Sequence, residues 1–467
     1  MPQLSPPFSA VGGSAMTRTL AVVGAGAKAV AVAAKAATLR EMGIEVGDVV
    51  AVERAGVAAN WRAGGGWTDG RQRLGTSPEK DVGFPYRSTV VPGRNAELDE
   101  RMMRFSWQSY LVATDQLVGW IDRGRPAPTH DSWARYLRWV ADAVGLKVVR
   151  GEMVHLSVAG LRWVVQTPDT TVSADSVMIT GPGQPQRSML PGDPRMLSIA
   201  QFWQRTAGDN RIVADEVAVI GGGETAASIL NELFHHRVST ITAISPQATL
   251  FTRGEGFFEN SLFSDPTQWC SLTRAERRDY IARTDRGVFS ARAQELLLAD
   301  ERIRHLRGRV ADAQNRAGRI RITVHTDRPQ LADRGGRAPA GVTTAGSCHS
   351  APGDELSATV HDFDLVVDGS GADPLWFLPL LDQDAVDMLE LELGGPLTSD
   401  RLEESIGHDL AVQGLHPKLF LPNLSGFNEG PGFPNLSCLG LLADRVLGAE
   451  IGVSDASRGR SGEYQSV

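Results

Sequence analysis

Gly24, Gly26 and Ala29 stand in the order G-x-G-x-x-A inside TLAVVGAGAKAVAVAAKAATLR, residues 19–40. The first glycine of that pattern permits a tight bend, the second lets backbone approach a pyrophosphate, and the small third residue keeps helix and strand close. The helix behind it faces the ligand with unpaired N–H groups and a positive dipole end. Glu53 ends the next apolar run, VGDVVAVE, where a carboxylate suits a ribose hydroxyl. Lys28, inside the loop, reads as solvated. On its own the loop serves equally as a plain strand-to-helix turn.

A second copy stands about 200 residues on, with Gly221, Gly223 and Ala226 in DEVAVIGGGETAASILNELF, 215–234. Two copies in one chain are more specific than either alone. The following strand, STITAIS, ends at Ser245 where an NAD site prefers an acid. Without that carboxylate a 2′-phosphate meets no repulsion, which admits NADPH. Arg253, in TLFTRGEGFF, is the candidate counter-charge. Nicotinamide in the second loop and FAD in the first would let a hydride pass between them.

The elements that position these loops follow from the apolar patterning. Leu20–Val23 and Val217–Ile220 are short buried strands, each followed by a helix-forming stretch. Trp133, Leu137 and Val140 recur at helical spacing behind a Thr or Asp cap and read as core. DSVMITGPGQP (175–185) and DFDLVVDGSGADP (362–374) each run a strand into a glycine turn. The second is expected to return the chain to the FAD sheet. The predicted fold is therefore α/β, with two doubly wound Rossmann-like domains and a small, mainly helical substrate-binding region. Its FAD domain has two segments, 17–205 and 362–452, around an NADPH domain at 206–361. Residues 254–300 form the substrate insertion, 326–357 a flexible loop, and 1–16 and 453–467 loose termini. His235 and His236 read as surface residues of the second helix.

Composition excludes several alternatives. The 467 residues are 42% hydrophobic and 22% charged with a net charge of −8, which describes two or three globular domains and no basic stripe for nucleic acid. No window reaches the length of a membrane span, and residues 1–16 lack the layout of a signal peptide. Cys270, Cys348 and Cys438 form neither a CxxC pair nor a metal-ligand spacing, so a reducing cytoplasm is expected. Disulfide reductases of this layout need a cysteine pair near the first helix, and GPGQPQRSMLPG lacks the linker motif of Baeyer–Villiger enzymes.

Four segments carry a resemblance: GTSPEKDVGFPYRS (75–88), GEGFFENSLFSDPTQW (254–269), TDRGVF (284–289) and GPGFPNLSCLGLLADRVLG (430–448). They resemble the flavin-dependent N-hydroxylating monooxygenases of siderophore biosynthesis, the lysine branch for mycobactin and nocobactin more closely than the ornithine branch. The resemblance, from about residue 17 to 450, implies FAD-, NADPH- and O2-dependent hydroxylation of the L-lysine side-chain nitrogen. It implies a cytoplasmic homo-oligomer, a tetramer in the family, working with siderophore assembly enzymes. Lys80 matches the lysine that meets the substrate carboxylate. Independently of family, a carboxylate entering a dry pocket needs a cation. By resemblance, Asn260 contacts substrate near the nicotinamide. Asn435, Leu436 and Ser437 close over flavin and substrate, and Trp61 with residues 64–66 faces the flavin. Asp285 departs from the asparagine of ornithine enzymes, and the family's D-x-x-x-L-A-T-G-Y element is reduced to DLVVDGSGA. No side-chain acid or base is assigned. The alternatives are an ornithine or other diamine hydroxylase and a flavin-binding protein without turnover.

Overall fold

The computed structural model describes residues 18–185, 188–208, 210–326 and 357–451. Two five-stranded parallel sheets organise them. In the first, Thr19–Val23 lies between Asp48–Glu53 and Ser176–Ile179, with Lys147–Arg150 and Lys418–Phe420 at the edges. In the second, Val213–Ile220 lies between Arg237–Ser245 and Leu365–Asp368, with Ile303–Arg307 and Met196–Leu197 outside them. The call for 326–357 falls almost wholly outside the described residues.

Both expected boundaries of the inserted domain move. Leu365–Asp368 pairs with Val213–Ile220 and Met196–Leu197, so it completes the second sheet and is not the return to the first. A buried strand running into a glycine turn marks the cofactor edge of any parallel sheet, which is why the pattern misled. The return is made by Lys418–Phe420, three residues too short to leave a period. Met196–Leu197 and the Ile199–Arg205 helix likewise belong to the second domain, with Phe202 and Trp203 in its core.

The first fingerprint helix, Ala27–Glu41, is buried almost all round. It packs against the Leu439–Ile451 helix and the His130–Ala143 helix. Alanine's small side chain allows this close approach without rotamer entropy. Within this apolar shell Lys35 donates to Asp444 at 2.5 Å, to Gly440 O at 2.8 Å and to Ser88 Oγ at 2.9 Å. All three ammonium donors are thereby satisfied, the condition on which a buried charge is tolerated. Thr129 caps His130–Ala143 by accepting from Ser132 N, and Trp133, Leu137 and Val140 are fully buried beneath it. Residues 254–300 are mainly helical, with Phe257–Ser264, Arg274–Thr284 and Ala291–Leu297. Among the described residues no helix is long and apolar enough to cross a membrane.

Candidate active site

A cavity of about 1600 Å³ opens at the carboxyl edge of the first sheet. Gly24 makes the bend at φ +97°, donating to Val52 O at 2.9 Å, with Thr180 Oγ1 only 2.9 Å from where a Cβ would stand. Gly26 faces the cavity, with nothing nearer to a Cβ than Asn60 Oδ1 at 3.9 Å. Ala29 is fully buried behind it. Glu53 accepts from Ala25 N at 3.1 Å and Ala55 N at 2.8 Å, which fixes its carboxylate at the cavity rim. Trp61 lines the wall and packs edge-on against His130, centroids 4.9 Å apart. Leu436 and Asn435 line the same cavity from the C-terminal segment. An exposed helix N-terminus, a close-approach glycine and a rim carboxylate fit a dinucleotide such as FAD.

Three further residues singled out from sequence meet beyond this cavity. Lys80 Nζ donates to Asn260 Oδ1 at 3.0 Å and approaches Ser437 Oγ at 3.5 Å. Each is oriented from behind. Asn260 Nδ2 donates to Glu255 O at 2.6 Å and Gly256 O at 3.1 Å, which turns its amide oxygen toward the lysine. Ser437 is set by its own N–H donating to Asn435 Oδ1 at 2.8 Å. Asp81, missed as a functional residue, anchors the Lys80 turn by accepting from Trp107 N and Tyr86 Oη, both at 2.8 Å. Burial pushes its carboxyl up to about 6. Burial also lowers the Lys80 ammonium from its ordinary value. Cys438, beside this group, is buried and its thiol is pushed up to about 12.

Asp285 caps the end of Arg274–Thr284 and is raised by burial, opposed by Arg286, Arg253, a hydrogen bond from Asn435, and Lys28. Lys28 is not the solvated residue expected. Its ammonium lies between the fingerprint loop and Asp285, donating to Pro434 O at 2.6 Å, and burial lowers it to about 8. Sequence gave no cue, because the partners come from residues some 250 to 400 positions away.

The second loop differs. Gly221, at φ +132°, makes the bend and Ala226 is fully buried, but the cavity wall contains neither Gly221 nor Gly223. A Cβ on Gly222 would meet Gln247 Oε1 at 3.0 Å and one on Gly223 would lie 3.9 Å from Gly287 N. Residues of the insertion thus lie over this turn. Ser245 is buried and its hydroxyl is paired with His305 Nε2 at 2.9 Å, so it does not present an open hydroxyl to a ribose. Arg253 is committed to Gly75 O and Glu255 Oε2, each at 2.7 Å, and lies 3.9 Å from Glu224. Its guanidinium is therefore not free for a 2′-phosphate. His236, expected at the surface, is buried and accepts from Ile212 N at 3.1 Å, whereas His235 is exposed.

The family model for L-lysine 6-monooxygenase/L-ornithine 5-monooxygenase matches residues 98–300. L-lysine N6-monooxygenase MbtG of Mycobacterium sp. (strain MCS) is 68% identical over 97% of this chain and 100% of its own length. The chain belongs to the lysine/ornithine monooxygenase family. The solved lysine monooxygenase NbtG from Nocardia farcinica, described for an unprecedented NADPH domain conformation, is 50% identical. It covers 92% of this chain and 100% of its own at a TM-score of 0.79. The Kutzneria ornithine N-hydroxylase KtzI shares the fold at 19% identity, covering 93% and 99% with a TM-score of 0.67. In this monooxygenase, then, the first sheet's cavity and the Lys80 cluster are the two parts any reaction must join.

Proposed function

We propose that the protein is an L-lysine N6-monooxygenase using FAD, NADPH and O2. The observation that carries this reading is Lys80, directed by Asn260 and Ser437 and flanking the cavity that begins at Gly24. In it Gly24, Gly26 and Ala29 hold the FAD pyrophosphate, Glu53 a ribose hydroxyl, and Trp61 and Leu436 line the flavin. When bound, FAD supplies the activated oxygen. Gly221, Gly223 and Ala226 supply the turn for NADPH. No step is assigned to Ser245 or Arg253.

The chain's own residues do the rest. Lys80 has one ammonium proton beyond those directed at Asn260 and Ser437, and a substrate α-carboxylate is its natural acceptor. That contact fixes the far end of the amino acid, leaving the side chain to run past Ser437 and Asn435 toward Asp285. The attacking nitrogen must carry a lone pair. A lysine ammonium near 10.4 needs roughly 4–5 kcal/mol to lose its proton at pH 7, at about 1.4 kcal/mol per unit. Desolvation supplies part of that, so no dedicated base is required. The resemblance and the name of the mycobacterial relative support a place in hydroxamate siderophore biosynthesis, in a cytoplasmic homo-oligomer.

The test is product analysis after incubation with NADPH, O2 and a panel of L-lysine, L-ornithine and cadaverine. Hydroxylamine is expected from lysine. Preference for ornithine or cadaverine would overturn the substrate. A yellow protein never reduced by NADPH would overturn the enzyme reading.

A further inference from the structure

Lys28 is buried where the flavin cradle meets the amine end of the site, and nothing in the proposed reaction uses it. Its ammonium donates to Pro434 O at 2.6 Å. The next residue, Asn435, hydrogen-bonds Asp285, whose charge reaches back to Lys28. The other cations near Asp285 have their own carboxylates: Arg253 pairs with Glu255 at 2.7 Å and Arg286 with Glu403 at 3.6 Å. Tyr280, which also feels Asp285, keeps its proton because burial pushes its phenol up. At the opposite end Lys80 meets Cys438, Arg253 and Glu255. An ammonium-bearing substrate would therefore bring a second amine to a carboxylate that already balances one.

We propose that Lys28 is a positioning residue for the reacting amine: held on Pro434 and facing Asp285, its ammonium occupies that carboxylate's charge, so the substrate side chain docks uncharged. The inference rests on the lysine reading above. Two like charges sharing one counter-ion in a water-poor pocket repel strongly, and the mobile one discharges. The substrate R–NH3+ breaks one N–H bond, passes that proton to the buffer and binds as R–NH2. Lys28 and Asp285 keep their protonation states. Burial, which lowers Lys28 and raises Asp285, is consistent with the pair standing near the limit of what the pocket accepts.

The test is calorimetric titration of the FAD-loaded enzyme with L-lysine at pH 7, in buffers of different ionisation enthalpy. The wild type is expected to release about one proton per lysine bound. Lys28→Met keeps the stem without the charge. It should release almost none, bind lysine more tightly and turn over at least tenfold more slowly, with turnover recovering as the pH rises. Lys28→Arg should restore the proton release, a readout that a merely structural role would not move. Equal proton release by Lys28→Met and wild type would overturn the proposal. Should Lys28→Met lose its flavin, Lys28→Arg decides, and release near zero there would overturn it as well. A wild type that binds lysine yet forms no hydroxylysine would sink the activity instead, leaving the proton count to judge Lys28.

Discussion

The two fingerprint loops have the same spacing and the same bend, yet their surroundings differ. Gly26 of the first faces a 1600 Å³ cavity, whereas Gly223 of the second lies beneath Gly287 and beside a helix start whose first residue, Glu224, is itself acidic. Glu224 accepts from Ser290 N and faces Arg253, so that helix start is covered by groups of the protein. A G-x-G-x-x-A pattern therefore specifies the backbone turn, while access to it is decided by segments remote in sequence.

Breaking the support of one loop and not the other gives the largest expected effect. Lys35→Met should destabilise the first domain by about 3–5 kcal/mol, because Asp444 would be left buried without its partner. Denaturant unfolding with flavin fluorescence would measure it; an unchanged midpoint would show that the ion pair is not needed. Gly24→Ala and Gly221→Ala should each cost about 1–3 kcal/mol from positive φ alone. The first should release FAD, and the second should spare FAD while abolishing reduction by NADPH. Lys80→Ala should raise the lysine requirement roughly 10- to 100-fold, the worth of a charge-assisted hydrogen bond of about 1.5–3 kcal/mol, with FAD retained. Steady-state kinetics reads this directly, and an unchanged KM would remove Lys80 from the site.

Smaller effects sharpen the contrast. A methyl has room at both Gly26 and Gly223, so either alanine variant should melt close to wild type. Gly26→Ala should nevertheless weaken FAD and Gly223→Ala only the nicotinamide nucleotide, as separate titrations would reveal. Beneath Trp61, burial holds His130 down at about 4 from an ordinary value of 6.5. The unfolded chain therefore takes up this proton first, and stability should fall as pH drops from about 6.5 to 4. Melting temperatures should lose that slope in His130→Gln, and an identical pH profile would mean His130 is protonated in the folded protein.

Much of this was legible in the sequence because the information was local. The two loops, their strands and the Trp133 helix are set by spacing within a few turns. The Lys80, Asn260 and Ser437 grouping came from resemblance, since no local rule relates residues 80, 260 and 437. What escaped was set by packing at long range. Lys28 was read as solvated because its partners are Pro434 and Asp285. Ser245 and Arg253 were read as nucleotide contacts because their pairing with His305 and Glu255 depends on fold and side-chain direction. The domain return failed for a related reason: Lys418–Phe420 is too short to carry a pattern, while Leu365–Asp368 imitates one.

The contact of the Ala27–Glu41 helix with the Leu439–Ile451 helix has a consequence for biosynthesis. The second sheet is complete once residue 368 has left the ribosome, but the first waits for Lys418–Phe420 and for Asp444. Domains fold as units during synthesis. The half translated first is thus the last to close, and Lys35 spends most of translation without the carboxylate that will neutralise it.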